Sequence, residues 1–459
     1  MVKQAEILFA HEIEGKTYLT DFVVDNVGSI ATTFVDEQLK VIVKKVKEKN
    51  RSLDQVRMIA GDISKQLKKL SVGEGKIDDN ALASAFDSFN KKELVTAFVE
   101  GWHLGAYEFD AYKSKKAKEK AQLTFVNEAE VEAAVSVGEI RAASMAFSRD
   151  LMNEPGDALN PETYPEVLKK EFEGSGVDVV VHDKNALEEM KMNGLLTVNR
   201  GSKYDPAFVE LHYKGDESKP LVALVGKGVT FDTGGISLKG GRNISDMRMD
   251  MGGSAAVAGA MKLLAESGAK VNVVGLIQIV ENMPDRHSFL PGDVIHYKNG
   301  KTVQIGNTDA EGRLILADGL IRAGELEADY IVDIATLTGA VVAALGTKVA
   351  GIFGEDELTS IMKKLGDYNG DFVWPLPLID EYDETLKTDY ADLSNISNQP
   401  YAGSITAALF LRRFVPESAK WVHVDMAGTM EAKSKGYYNQ AGSGFGARLL
   451  ADYAVEVSK

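Results

Sequence analysis

Seven consecutive residues, Asn307-Thr308-Asp309-Ala310-Glu311-Gly312-Arg313, place two acids and a guanidinium beside a glycine. Upstream, the apolar run Leu221 to Val225 ends in Gly226-Lys227-Gly228, Asp232 follows, and Lys239 and Asp250 come soon after. Asp309 and Glu311 are two apart, so in an extended turn their side chains point the same way, and Gly312 lets backbone come close. Like carboxylates held together repel, and at least one pKa rises unless a cation compensates. Arg313 could be that cation, which would make the cluster a structural ion pair. Asp232, Asp250, Asp309 and Glu311 exceed it, however, so bound divalent metal is the better compensation. Oxygen donors suit magnesium, manganese or zinc, and bridging carboxylates suit paired ions. Beside dications Lys227 could ligate as a neutral amine. An activated water would be the nucleophile, a charged Lys239 would stabilise an oxyanion, and Arg313 would hold an anion near that water.

Each residue also has a plain structural reading. Lysine between glycines at a strand end can be a surface loop with an ion pair, and Asp250 before Gly252-Gly253 reads as a helix cap. His11, His103, His182, His212, His287, His296 and His423 all lie outside both clusters, so a histidine-rich zinc site is not expected. His423 reads as a satisfied core histidine.

The elements that must position these groups follow from apolar periodicity. Leu221 to Val225, Val271 to Val280, Tyr330 to Ile334 and Trp421 to Met426 read as strands. Helices are expected near Gly253 to Ser267, Gly312 to Gly324, Ser404 to Val415 and Gly444 to Val455. Strands this apolar need cover on both faces, which predicts an α/β fold with a largely parallel twisted sheet sandwiched by helices. Ligands in such sheets collect beyond the carboxyl ends of the strands. The first part, to about Asn127, has apolar runs at Ala5 to Ala10 and Val56 to Gly61 and helical spacing over Val35 to Asn50 and Leu94 to Tyr107; it reads as a smaller α/β domain. A long helix over Asn127 to Asp150, broken by Pro155, Gly156 and Pro161, would carry the junction. The expected division is 1–127, a linker helix 128–152, and 153–459 for the chemistry.

Composition excludes several classes. The 459 residues carry a formal charge of -16, which argues against a surface built for nucleic acid or anionic lipid. The one dense basic run, Lys113 to Lys120, reads as a solvated loop or helix end, with a nucleic-acid contact as its sharper alternative. The chain has no cysteine, so disulfides, thiolate metal sites and cysteine nucleophiles are ruled out. The start, MVKQAEILFAHEIEG, lacks the apolar core of a signal peptide, and no run approaches a membrane span. Cytoplasmic residence is the expectation.

The stretches VGKGVTFDTGGISLKG (225–240), DMGGSAAV (250–257), NTDAEGRL (307–314) and ATLTGAVVAALG (335–346) strongly resemble the leucyl aminopeptidase family, the cytosol aminopeptidases with two metals. The likeness runs from RDLMNEPGDALNP (149–161) to the end, through DEYDETLKTDYADLSNI (380–396) and WVHVDMAG (421–428), and touches the first domain at AFVEGWHLGAYEFDAYK (97–113). It implies a metalloaminopeptidase acting on peptides with a free amino terminus. One metal would be held by Asp232, Asp309 and Glu311, and the second by Lys227, Asp232, Asp250 and Glu311. Lys239 and Arg313 match the family's catalytic pair, the arginine holding a bicarbonate as general base. Met247, Thr336, Gly339, Ala427 and Met430 match the pocket for the amino-terminal side chain. The resemblance also implies zinc or manganese, with cobalt or magnesium as further candidates, a cytoplasmic homohexamer, and a macro-like first domain. A dipeptidase of the same family, and a DNA-binding or scaffold protein on the hydrolase fold, are the alternatives. Two departures stand out: Gly240-Gly241 where proline usually follows the lysine, and 398–403, which lacks the usual arginine and paired glycines.

Overall fold

The chain falls into two units, 1–146 with 368–370 and 432–441, and 147–367 with 371–431 and 442–459. The structure is a computed structural model describing residues 4–25, 29–47, 51–240 and 244–459, so Gly241 lies outside the described residues.

In the first unit β1 (Gln4–Phe9), β2 (Ile30–Val35), β3 (Gln38–Val43), β4 (Glu74–Ile77) and β5 (Gln122–Phe125) form one sheet in the order β2-β3-β1-β4-β5. The helix expected near Leu94 to Tyr107 spans Lys91–Ala106, started by Asn90, whose side chain accepts from the Glu93 amide at 2.9 Å. The apolar run Val56 to Gly61 lies inside a second helix, Leu53–Leu70. Helical spacing over Val35 to Asn50 misleads: the structure has β3 there, and 48–50 lie outside the described residues. Adjacent strand residues point to opposite faces, and both faces are covered here. Val41 and Val43 join the core of Ile7, Ile59 and Phe98, while Ile42 joins Ile13, Leu19 and Ala31. Two-sided burial of a β-branched run makes a strand whose spacing imitates a helix.

The second unit contains β6 (Val177–His182), β7 (Ala207–Lys214), β8 (Leu221–Asp232), β9 (Asn272–Asn282), β10 (Val294–His296), β11 (Thr302–Gln304), β12 (Tyr330–Ala335), β13 (Ala350–Gly354), β14 (Val373–Pro375), β15 (Leu393–Ser394) and β16 (Lys420–Asp425). Eight of them make one sheet, β14-β13-β16-β12-β8-β9-β7-β6, and β10, β11 and β15 a small separate one. The centre, β16-β12-β8-β9, is parallel throughout, and antiparallel pairs lie only towards the edges. This is the largely parallel, helix-flanked sheet the apolar runs predict. At Val225 a side-chain methyl lies against Gly319 of the Gly312–Glu325 helix, whereas at Gly226 an added Cβ would strike Ser254 of the Gly252–Glu266 helix. Consecutive strand residues face opposite ways, so the two helices cover opposite faces. Among the described residues no helix is long and apolar enough to cross a membrane.

One boundary differs in a way that matters. The strand expected to stop at Val225 runs on to Asp232, paired with β9 up to Val229↔Val280 and again at Asp232↔Asn282 after an irregularity. Lys227 and Asp232 therefore stand on a strand paired with β9, not on a loop.

Candidate metal centre and active site

The parallel strands β8, β12 and β16 deliver their carboxyl ends to one edge of the sheet, where Asp232, Thr336 and Ala427 emerge. A cavity of about 160 Å³ opens there. Its lining includes Lys227, Asp232, Lys239, Asp250, Asp309, Glu311 and Arg313, together with Met247, Thr336, Gly339, Ala427 and Met430. The residues proposed from the sequence to bind metal, to catalyse and to line a side-chain pocket thus meet in one place. A larger hollow of about 660 Å³ lies in the first unit, but three of its four acids are engaged: Glu6 pairs with Lys40, Glu12 accepts from the Phe9 amide and Asp78 from the Asn80 amide. Chemistry, not volume, marks a site.

Lys227 is 3% exposed, and its Nζ lies 2.8 Å from Asp250 and 2.9 Å from Glu311 while donating to the Thr336 carbonyl at 2.9 Å. Gly312 makes room for it: a Cβ there would sit 2.7 Å from Lys227 Cε. Asp250 does not cap the following helix, whose first turn has no side-chain cap; it ends the short 3-10 turn Ser245–Met249 and accepts from the Thr336 hydroxyl at 2.8 Å. Asp232 accepts from the Gly234 amide and the Asn282 side chain through Oδ1, and its Oδ2 lies 2.7 Å from Lys239 Nζ, which also reaches Asp309. Asp309 and Glu311 converge through a turn and a helix start, Glu311 having helical φ -75° and ψ -35°, and not through an extended segment. Arg313 is buried and donates from a terminal nitrogen to the Asn395 carbonyl at 2.8 Å.

The charges do not balance. Burial pushes Asp232 well above the carboxylate range, with Glu311 and Asp250 adding to the shift; it lifts Asp250 to about 6 and raises Asp309. Glu311 alone is held down, because Lys227 and Lys239 outweigh its burial. Burial opposes the charge on both lysines, yet the surrounding acids keep their ammonium forms favoured, and burial lowers Arg313 to about 10. Lys227, Lys239 and Arg313 set against Asp232, Asp250, Asp309 and Glu311 thus leave a surplus of acid in a largely buried site.

These residues fit divalent metal. Ligand oxygens of Asp232, Asp309 and Glu311 lie within 4.8 Å of one another, and Glu311 Oε2 has no hydrogen-bond partner among the described residues. An orphaned buried carboxylate oxygen is costly unless something binds it. Hard oxygen donors suit divalent cations.

Three buried residues around the cluster escaped the sequence reading. Asn282, closing β9, donates to Asp232 at 2.8 Å and to the Thr308 carbonyl at 3.0 Å. Asn395 clamps the acidic turn, accepting from the Gly306 amide at 2.7 Å and donating to the Asn307 carbonyl at 2.7 Å. Asp425 closes β16. Two of the three end strands of the parallel sheet, a signal that strand boundaries could have supplied. His423 is buried as expected, with Nδ1 on Asp333 at 2.5 Å, but its Nε2 has no partner among the described residues.

Residues 146–451 match the catalytic domain of the cytosol aminopeptidase family, and 47–116 match its N-terminal domain. A probable cytosol aminopeptidase of Aquifex aeolicus is 44% identical over 373 residues, covering 80% of this chain and 75% of its own. One from a Sulfurihydrogenibium species is 37% identical over 445 residues, covering 95% and 86%. Among solved structures, the bottromycin maturation enzyme BotP in complex with Mn superposes with a TM-score of 0.91 at 30% identity, covering 99% of each chain. The site at the strand ends, the domain matches and these relatives lead to one assignment: the chain belongs to the cytosol aminopeptidase family.

Proposed function

We propose that the protein is a two-metal aminopeptidase that removes the amino-terminal residue from peptides, its catalytic part spanning 153–459. The observation that carries the reading is the acid surplus of Asp232, Asp250, Asp309 and Glu311 around Lys227 in a buried cavity at the strand ends. Asp232, Asp309 and Glu311 would hold one dication; Lys227, Asp232, Asp250 and Glu311 would hold the other. When bound, the dications supply Lewis acidity and an activated water, and a bicarbonate on Arg313 supplies a base.

The chain's own groups do the rest. Lys239, its side chain 13% exposed, keeps its proton and donates from Nζ to the scissile carbonyl oxygen as negative charge develops there. Arg313 is anchored through the Asn395 carbonyl, and its Nε has no hydrogen-bond partner among the described residues, leaving a donor for a small anion. Acids lining the cavity attract the free α-amine, and Met247, Ala427 and Met430 offer an apolar surface for the first side chain. Preference for bulky apolar residues, manganese or zinc as the metals, and a cytoplasmic homohexamer are proposed with this reading, on the strength of the family resemblance. A nucleic-acid role gains nothing, since Lys116 and Lys118 of the basic run are turned back onto the chain's own carbonyls.

The test is turnover of aminoacyl chromogenic amides after loading with manganese or zinc. Glu311→Ala and Lys239→Ala should each lose about a hundredfold or more in kcat; near-full activity in either would refute the assignment. Faster cleavage of dipeptides than of longer peptides would narrow it to a dipeptidase.

A further inference from the structure

Asp425 is fully buried at the end of β16, and no role above uses it. Its Oδ1 accepts from the backbone amides of Leu337 at 3.2 Å, Thr338 at 3.3 Å and Ala427 at 3.3 Å. Its Oδ2 accepts from the Thr338 hydroxyl at 2.6 Å. That hydroxyl also bonds Ser404 at 2.9 Å and accepts from the Val341 amide at 3.1 Å, starting the Gly339–Leu345 helix. Leu337, Thr338 and Ala427 all line the cavity. One carboxylate thus ties together two chain segments, the turn after β12 and the turn after β16, that face the space beside the metal-binding acids.

The charge behind this knot is arranged to sustain it. His423, two residues earlier and so on the same strand face, pairs through Nδ1 with Asp333, which also accepts from the Trp421 indole at 2.6 Å. Burial pushes the Asp425 carboxyl up, and His423, the Thr338 hydroxyl and the amides oppose it. Burying a carboxylate is expensive unless it is fully hydrogen-bonded; here its acceptor capacity goes to three backbone amides and one hydroxyl of the cavity wall, so what it fixes is the position of that wall.

We propose that Asp425 is a specificity-determining positioning residue: by fixing the Leu337–Thr338 and Ala427 backbones, it sets the size of the space that receives the substrate's amino-terminal side chain. The inference rests on the aminopeptidase reading. A hydrophobic pocket discriminates one methylene by roughly tenfold or more, so a small shift of this wall changes preference before it changes chemistry.

The experiment compares kcat and KM for leucyl and alanyl chromogenic amides in wild type, Asp425→Ala, Thr338→Val and Thr338→Ser, with bound metal counted in each. Asp425→Ala should move the leucyl-to-alanyl ratio of kcat/KM about tenfold towards alanyl, chiefly through KM, with metal content as in wild type. Thr338→Val, which keeps shape but loses the hydroxyl, should shift it less in the same direction, and Thr338→Ser should keep the wild-type ratio. Equal losses on both substrates, or a loss that tracks missing metal, overturn the proposal. If Asp425→Ala does not fold, an unchanged ratio in Thr338→Val overturns it instead. A wild-type chain inert towards every aminoacyl amide would refute the aminopeptidase reading itself, whereas an active wild type whose variants keep its ratio refutes this inference alone.

Discussion

Two buried charge clusters invite comparison. In the first unit Glu100 is fully buried, with Arg57 Nε at 2.7 Å and Arg141 Nε at 3.5 Å, and Arg57 also donates to the Tyr368 carbonyl. One acid is matched by two guanidiniums. In the second unit Lys227, Lys239 and Arg313 face Asp232, Asp250, Asp309 and Glu311, three of these acids are held above their usual range, and Glu311 Oε2 has no hydrogen-bond partner among the described residues. Burial of charge therefore does not mark a site by itself. What marks it is the sign of what remains after every local partner has been counted, because a surplus buried in low dielectric has to be met by something from outside the chain.

Chelation should separate the two clusters most widely. Stripping divalent metal is expected to reduce aminoacyl-amide turnover to background, with recovery on adding manganese or zinc. It should also lower the thermal midpoint, since a ligand bound only to the folded state at a hundredfold excess over Kd contributes about 2.7 kcal/mol. Undiminished activity after exhaustive chelation, with metal analysis confirming its absence, would leave the acid surplus unexplained.

Glu100→Ala tests the opposite side. Leaving Arg57 buried without its carboxylate should cost about 3 to 5 kcal/mol, read as a lower urea midpoint for the first unfolding transition. Bound metal per folded subunit should not change. Loss of metal in Glu100→Ala would mean that the clusters are coupled and that the contrast between them is false.

How much of this was legible in the sequence depends on distance along the chain. Lys227 and Asp232 share one strand, and Asp309, Glu311 and Arg313 share one turn, so local spacing carried them. Asn395 and Asp425 were not legible, because they reach 88 residues back, to the Asn307 and Leu337 turns, and take their meaning from pairing that no local pattern records. β3 failed for a related reason: Val41 and Ile42 are apolar for two different cores, and burial on two faces erases the alternation that identifies a strand. The sheet's parallel centre was legible because both-sided burial there runs through long uninterrupted apolar strands.

The smallest effect concerns Glu210 on β7, which shows that matched clusters are not peculiar to the first unit. Its Oε1 lies 2.8 Å from Arg322 Nε and 3.2 Å from His182, and its Oε2 lies 2.9 Å from His212. Burial would raise this carboxyl, but hydrogen bonds from His182, His212 and Arg322 outweigh it and hold the group well below its ordinary value of 4.5. A carboxyl depressed in the folded state adds stability that is fully present above its unfolded pKa and is lost as pH falls below about 4.5 towards the folded value. Glu210→Gln should therefore destabilise the protein at pH 7 by about 1.5 to 3 kcal/mol, the range for hydrogen bonds to a charged group. Urea midpoints of variant and wild type should then converge as pH drops from 4.5 towards 3. A gap of constant width across that range would mean that Glu210 acts by packing and not by charge, and the matched cluster would lose its electrostatic reading.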